Sequence, residues 1–566
     1  MIKAIVKKYR KWILIYLFLG ILTNFLYCWN VIVFQQIIDS CQTVPLFENL
    51  RSSIILYGLI LLSANIMAYL QNYPEKYLEN AIVEQLKLMS LEKISKIEYK
   101  DYQEIGTGKI VQLIENGASS GADIIFAFFL RIFSDLLPSI VFSMIFIGTL
   151  NIKIMLILGL SYIFVFVISQ LLMKKLYRYK EKLLNRQEEK SSYSIRGFME
   201  LVVFRLNKQY QNEINKIEKS AKDIVNTECK IIMIHEAFFS IFELLVIIIK
   251  IFILTIGISN IIAGNTTIGI LVALVSLIDR VYSPIAIFNV LYVQYKLNKF
   301  SYNRLVDFIG RKDDKNLYCG KQIYGDIGTI EIKNLYYSYK SVLGFSDMNL
   351  LIQKGQTVAF VGESGSGKST LVKLICGLLK KQQGSIFIDG TDIDAIELDS
   401  YYEHLAYLSQ DTAVFDGTIR ENIVFEEVIS DDEIYKYLKE VNLYEKVKSL
   451  KNKLDTRIGE RGIQLSGGER QRLALARVMA NKKDILILDE ATSALDTVNE
   501  QMIINHIMRS MEKSTIIMVA HRIQSIKNAD MIIVFKDFKI NGIGTFDELI
   551  RTNQYFQELW DRGERL

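Results

Sequence analysis

The sequence predicts two unlike halves: a helical membrane domain of six spans, followed by an α/β domain built on a phosphate-binding loop. Three observations predict this. The apolar runs long enough to cross a bilayer all lie before residue 300. A glycine-rich loop ending in Lys-Ser follows a short apolar strand after residue 350. Half of the 566 residues are hydrophobic and the mean hydropathy is positive, which is high for a water-soluble chain.

A helix needs about 20 apolar residues to cross the hydrocarbon core. Ile13 to Val33 and Ile54 to Leu70 meet this without a charge. The third run, Phe126 to Leu150, carries Arg131 and Asp135. The fourth, Ile154 to Met173, follows almost at once. The fifth, Ala237 to Ile262, holds Glu243 and Lys250, and the sixth, Ile268 to Tyr295, holds Asp279 and Arg280. The first run has no small-residue cleavage site, so it reads as a retained helix.

The connections alternate in length. Those from the second run to the third and from the fourth to the fifth are long and charged. Lys3, Lys7, Lys8, Arg10 and Lys11 precede the first run, and Lys174, Lys175, Arg178 and Lys180 follow the fourth. Basic residues mark the cytoplasmic side. The N-terminus and both long connections are therefore expected in the cytoplasm, and six crossings return the second half there. The long connections read as helical continuations, with helix-forming residues over Glu79 to Lys93 and Tyr177 to Lys190. The charged stretch Arg311 to Lys315 lacks periodicity. The expected division is residues 1–310 for the membrane domain, 311–328 for a linker and 329–566 for the second domain.

A net charge of +5 is small for this length and makes no case for nucleic acid. The five cysteines are scattered, without metal-ligand spacing or a disulfide framework, which suits a reducing compartment for the second half.

In that half, the apolar strand Thr357 to Val361 enters Gly362-Glu363-Ser364-Gly365-Ser366-Gly367-Lys368-Ser369, and an amphipathic helix follows from Thr370. The pattern G-x-x-x-x-G-K-[ST] between strand and helix is a phosphate loop. Its glycines let backbone N–H groups close on phosphate oxygens, and the helix N-terminus adds a favourable dipole. Lys368 supplies charge to the β- and γ-phosphates, and Ser369 can ligate Mg²⁺. A second apolar strand, Ile485 to Leu488, ends in Asp489-Glu490. Asp489 is placed to hold Mg²⁺ and Glu490 to orient or deprotonate the attacking water. Alone, that pattern is often just a strand meeting solvent; the phosphate loop gives it weight.

Between the two lies Leu465-Ser466-Gly467-Gly468-Glu469-Arg470-Gln471-Arg472, opening a helix. Here the chain resembles the ABC transporter superfamily, whose signature is LSGGQ. Further elements match in order. Tyr339 matches the aromatic residue that stacks on adenine. Gln410, in Leu408-Ser409-Gln410, matches the loop that links the ATP site, and its Mg²⁺, to the membrane domain. Asp496, in Ser493-Ala494-Leu495-Asp496, matches the D-loop. His521 matches the switch histidine that contacts the γ-phosphate. Each alone would be an ordinary strand aromatic, loop amide or structural histidine. Seven elements in one order between Tyr339 and His521 are not a chance set.

The resemblance implies an α-helical membrane domain of ABC exporter type joined to an ABC-type ATPase, with ATP and Mg²⁺ as cofactors. It also implies an assembly. In the family, Ser466 with the Gly467-Gly468 backbone would meet the γ-phosphate held by an opposite subunit. One chain carries one phosphate loop and one signature, so it needs a second copy of itself or a paralogous half-transporter. The expected activity is ATP-driven export of an amphiphilic substrate (peptide, drug-like molecule or lipid). The competing readings are half of a heterodimer and an ATP-gated channel or sensor subunit without transport. Ile105 to Asn116 and Arg196 to Lys208 resemble the two intracellular coupling regions.

Two departures stand out. Glu469 replaces the usual glutamine of the signature. Arg457 stands where this branch usually has an acidic residue, and nearby Glu460 is a candidate for that role. Within the spans, Lys250 and Asp279 fall at similar depth, as do Glu243 and Arg131. They read either as structural ion pairs or as the lining of a polar pathway.

Overall fold

The computed structural model describes residues 1–566 except 44–46, 162–177, 184–185, 188, 191–192, 194–200, 340–342, 411, 426–428, 460–464, 492–496, 521 and 565–566, and leaves out a few further side chains, Tyr339 among them. The chain forms two units. The first is 1–95 with 105–311, and the second is 96–104 with 312–566.

In the first unit, five helices among the described residues are long and apolar enough to cross a membrane: Arg10–Gln42, Leu50–Lys96, Thr107–Leu150, Tyr210–Ile262 and Ile268–Ile309. The fourth expected span is helical over Ile152–Ser161, and the rest of it lies outside the described residues. The helices outrun their apolar runs. Phe47–Lys96 has 50 residues, about 75 Å at 1.5 Å per residue, more than twice a bilayer's hydrocarbon thickness. Leu14, Phe18, Leu59, Leu62, Leu160 and Ile251 are exposed, as lipid-facing residues are. The bundle core is built around Leu277, Ile278 and Val281 of the last helix, packed with Ile147, Leu158 and Ile253.

Two features of this unit involve its polar residues. The helix through residues 107–150 widens to π geometry over Asp123–Leu130 and Ile132–Leu136. There Asp135 accepts from Gln71 Nε2 at 3.2 Å, Ser134 Oγ at 3.1 Å and Tyr16 OH at 3.4 Å. Elsewhere, Lys250 and Asp279 form an ion pair at 2.5 Å, joining the last two helices. Arg131 and Glu243 form no ion pair with each other among the described residues.

The second unit holds two sheets. An antiparallel sheet has the order β2-β1-β4-β5, from β1 (Thr329–Tyr339), β2 (Leu343–Gln353), β4 (Gln383–Ile388) and β5 (Thr391–Asp392). The central sheet has the order β10-β9-β3-β8-β7-β6, from β3 (Thr357–Gly362), β6 (Leu405–Leu408), β7 (Ile485–Asp489), β8 (Thr515–Val519), β9 (Met531–Lys536) and β10 (Lys539–Gly544). Five of its strands run parallel and β10 runs against β9. Parallel strands covered on both faces read as continuous apolar runs, and β3, β7 and β8 are buried throughout. The segment 96–104 belongs to this unit. Ile97 bridges Asp313, Asp314 N donates to Lys96 O at 2.7 Å, and Tyr99 packs on the core around β1 and β3.

Candidate ATP site

The register of the parallel strands brings three strand ends together. β8 lies between β3 and β7, with Asp489 opposite Val519 and Phe360 also opposite Val519. Open α/β sheets bind ligands beyond the carboxyl ends of their strands, and the phosphate loop leaves β3 at that edge. Asp489 and Glu490 leave β7 there too. A pocket of about 380 Å³ lies against it, lined by Ser364, Gly365, Gly367, Lys368, Ser369, Thr370, Gln410, Glu490 and Phe538.

The loop is shaped for an anion. Gly362, Gly365 and Gly367 have φ of +153°, +85° and +104°, which only glycine adopts freely. Gly367 caps the helix Lys368–Ile375 without a side-chain hydrogen bond, so the first N–H groups are left for a ligand. Lys368 is buried, its Nζ donating to Gly362 O at 2.7 Å and Glu363 O at 3.0 Å. Burial holds its pKa below the ordinary lysine value, against the pull of Glu490 and Asp489. Ser366 Oγ is buried with no partner among the described residues. A buried hydroxyl without a partner costs about 1–3 kcal/mol, which a phosphate oxygen would recover.

The carboxylates behave differently from one another. Asp489 is 3 % exposed. It accepts from Ser369 Oγ at 2.8 Å and from Tyr407 OH at 3.3 Å. Burial raises its pKa and the Glu490 charge adds to this, while the Ser369 and Tyr407 bonds oppose it. Glu490 accepts from Gln410 Nε2 at 2.6 Å. Its backbone is left-handed, with φ +54°, a conformation that costs a non-glycine residue roughly 1–3 kcal/mol and clusters at functional sites. The same desolvation thus disfavours the lysine's positive charge and the aspartate's negative one. A bound polyanion would compensate the first and a hard cation the second. The donor set of hydroxyl, carboxylate and amide oxygens fits Mg²⁺.

Ser466 caps the helix Gly467–Ala480. Its hydroxyl accepts from Glu469 N at 3.2 Å, and its N–H donates to Glu469 Oε2 at 2.8 Å. Glu469 therefore closes a capping box, a role the comparison with LSGGQ did not suggest. The spacing Ser-x-x-Glu before an apolar helix could have shown it. Arg457 bridges Thr418 in an antiparallel pair; Glu460 lies outside the described residues, as do Asp496 and His521. Tyr339 ends β1, its side chain undescribed.

Three residues at the site carry no motif. Tyr407 reaches Asp489 from β6. Phe538 lines the pocket from the β9–β10 turn. Arg562, in the C-terminal helix Gln554–Glu564, pairs with Glu363 of the phosphate loop at 3.1 Å.

The family models agree with this site and with the helices before it. The model for the ABC transporter transmembrane region matches residues 13–284, and the ABC transporter model matches residues 345–493. The chain belongs to the ABC transporter family. Its relatives match along nearly its whole length. A putative multidrug export ATP-binding/permease protein, YgaD of Bacillus subtilis (strain 168), is 28% identical over 98% of this chain and 97% of its own. The nisin transport ATP-binding protein NisT of Lactococcus lactis subsp. lactis is 28% identical over 99% of this chain and 95% of its own. A bacterial Atm1-family ABC exporter solved with ATP bound has the same fold, with a TM-score of 0.86 at 20% identity over 98% of this chain and 99% of that one. This ABC transporter is thus a multi-pass membrane half-transporter. Its ATPase is coupled to transport, it carries out ATP-driven export, and it works as a dimer.

Proposed function

We propose that two copies of this chain form an exporter that moves an amphiphilic substrate outward, with the N-terminus and the ATP-binding unit in the cytoplasm. The names of its relatives, a multidrug exporter and the nisin transporter, support a drug-like or peptide cargo. The basic residues before Ile13 support the orientation.

The observation that carries the chemistry is the convergence of Lys368, Ser369, Gln410 and Glu490 on one pocket, with Asp489 hydrogen-bonded to Ser369 beside it. The backbone from Gly362 through Glu363, Ser364, Gly365, Ser366 and Gly367 to Thr370 wraps the phosphates, and Tyr339 stacks on adenine. Lys368 leaves the loop carbonyls for the β- and γ-phosphates. Ser369, Asp489 and the Gln410 amide oxygen would hold Mg²⁺, which when bound neutralises charge on the phosphates. Glu490 takes a proton from the water that attacks the γ-phosphorus as the bond to the ADP oxygen breaks. His521 contacts the γ-phosphate. Ser466, Gly467 and Gly468 of the second copy close the site, with Asp496 at the same junction.

Glu490→Gln in the full chain tests this. Turnover should fall roughly 100-fold or more, the usual worth of a general base. ATP binding should persist and trap a closed dimer. Wild-type chain in proteoliposomes should move an amphiphile only with ATP. Undiminished ATPase activity in Glu490→Gln would sink the assignment. ATPase activity without flux of any peptide, drug or lipid probe would sink the exporter reading.

A further inference from the structure

Phe538 is an odd residue for its place. It sits with Asp537 at the turn between β9 and β10, and both have left-handed backbone, φ +60° and +49°. Asparagine, aspartate and glycine tolerate that region; a bulky aromatic pays roughly 1–2 kcal/mol. Glycine would adopt this backbone without strain, so the ring is held against a local cost.

The ring's surroundings show where it acts. It lines the phosphate-loop pocket beside Ser364, Gly365 and Lys368. It stands edge-on to Phe345 of β2, with centroids 5.6 Å apart and planes at 70°. A Cβ added to Gly367 would come within 2.8 Å of both rings, so the aromatic pair is seated directly on the loop's last glycine. Phe345 pairs with Tyr337 in the β1–β2 ladder, two positions from the Tyr339–Leu343 pair. Phe538 therefore touches both the loop that holds the phosphates and a residue of the ladder that leads to Tyr339.

We propose that Phe538 is a second aromatic contact for the nucleoside of ATP, bracing its sugar or base on the way from the phosphate loop to Tyr339. This rests on the ATP-site reading above and extends it to a residue outside the known motifs. The ring is half-buried, packed on Phe345 and on the core beside it while still lining the pocket. A nucleoside reaching from the phosphate loop to Tyr339 would meet the part of the ring that lines the pocket. Stacking on an aromatic side chain is worth about 1–3 kcal/mol per base, enough to offset the strain in the turn.

The test compares ligands with and without a nucleoside. ATP, ADP and inorganic tripolyphosphate are titrated onto the full chain in detergent, as wild type, Phe538→Gly and Phe538→Tyr. Phe538→Gly should weaken ATP and ADP about 5- to 10-fold and leave tripolyphosphate within twofold. Phe538→Tyr, which keeps the ring, should match wild type. Phe538→Gly relieves the strain of the turn but loses the Phe345 contact, so its melting temperature should stay within a few degrees of wild type. Unchanged ATP affinity in Phe538→Gly would overturn the proposal. So would an equal loss of ATP and tripolyphosphate, which would mean that the ring only shapes the phosphate loop. Lys368→Ala, measured in parallel, separates the two readings: if it binds ATP as wild type does, the nucleotide site itself is misplaced, whatever Phe538 shows.

Discussion

Two helices in the ATP-binding unit begin at small residues and present N–H groups, yet they end differently. Lys368–Ile375 starts at Gly367, which offers no side-chain cap. Gly467–Ala480 starts at Ser466, whose hydroxyl and N–H are both engaged by Glu469 in a capping box. The first terminus is unfinished without an anion. The second is complete by itself, with both the hydroxyl and the N–H of its serine engaged by Glu469. The difference matches the division of labour proposed here: one end holds the nucleotide, and the other meets it only when a second copy arrives.

The largest effect expected from this contrast is at Lys368. Lys368→Ala removes the only lysine among the described residues that line the pocket and leaves an uncapped helix end facing the phosphates alone. Nucleotide affinity and turnover should both fall, turnover by roughly 100-fold or more. Equilibrium binding and phosphate release report the two. A variant that loses turnover but binds ATP normally would break the idea that this terminus is the one that holds the ligand.

The signature serine should separate capping from catalysis. Ser466→Ala loses the cap, at a cost of about 1 kcal/mol, and also loses the donor for the second copy's nucleotide. Ser466→Asp keeps a good cap and so keeps stability, but puts a negative charge where a γ-phosphate is to dock. Turnover should fall in both, and further in the aspartate variant, while the melting temperature falls only in the alanine one. ATP affinity measured without dimer closure should stay near wild type in both. An active Ser466→Asp would show that the signature never meets phosphate.

Much of this contrast could be read from the residues in order. Lys368, Ser369, Asp489 and Glu490 sit at strand ends flagged by apolar runs and glycines, and the sheet register then brings them together. The apolar runs also marked the long helices, because lipid demands length and composition together. What could not be read came from distance in the chain. Tyr407 reaches Asp489 across 82 positions, and Arg562 reaches Glu363 across 199. Phe538 has no pattern around it. The Gln410–Glu490 bond joins two residues that the motifs named separately. The π geometry around Asp135 left no trace in a run read only for hydropathy. Segment 96–104 looked like a plain continuation of a span, yet it joins the second unit through Ile97 and Tyr99.

Against LSGGQ Glu469 shows only as a departure from the usual glutamine, and in the structure it is also half of a cap. The smallest prediction follows from that half. Burial alone would raise the Glu469 pKa, but the bonds from Ser466, with Lys446 and Arg472 nearby, hold it below the usual glutamate value. A carboxylate whose folded pKa is depressed adds stability that is complete above its unfolded pKa and is lost as pH falls through the folded one. Wild type should therefore lose melting temperature between about pH 5 and pH 3 partly through this group. Glu469→Gln can still accept from Ser466 N–H but does not titrate, so its decline over that range should be shallower, by less than about 1 kcal/mol. At neutral pH its ATPase activity should match wild type, because the cap survives and the signature serine keeps its place. Parallel pH slopes for the two proteins would mean that the Glu469 charge contributes nothing to the cap.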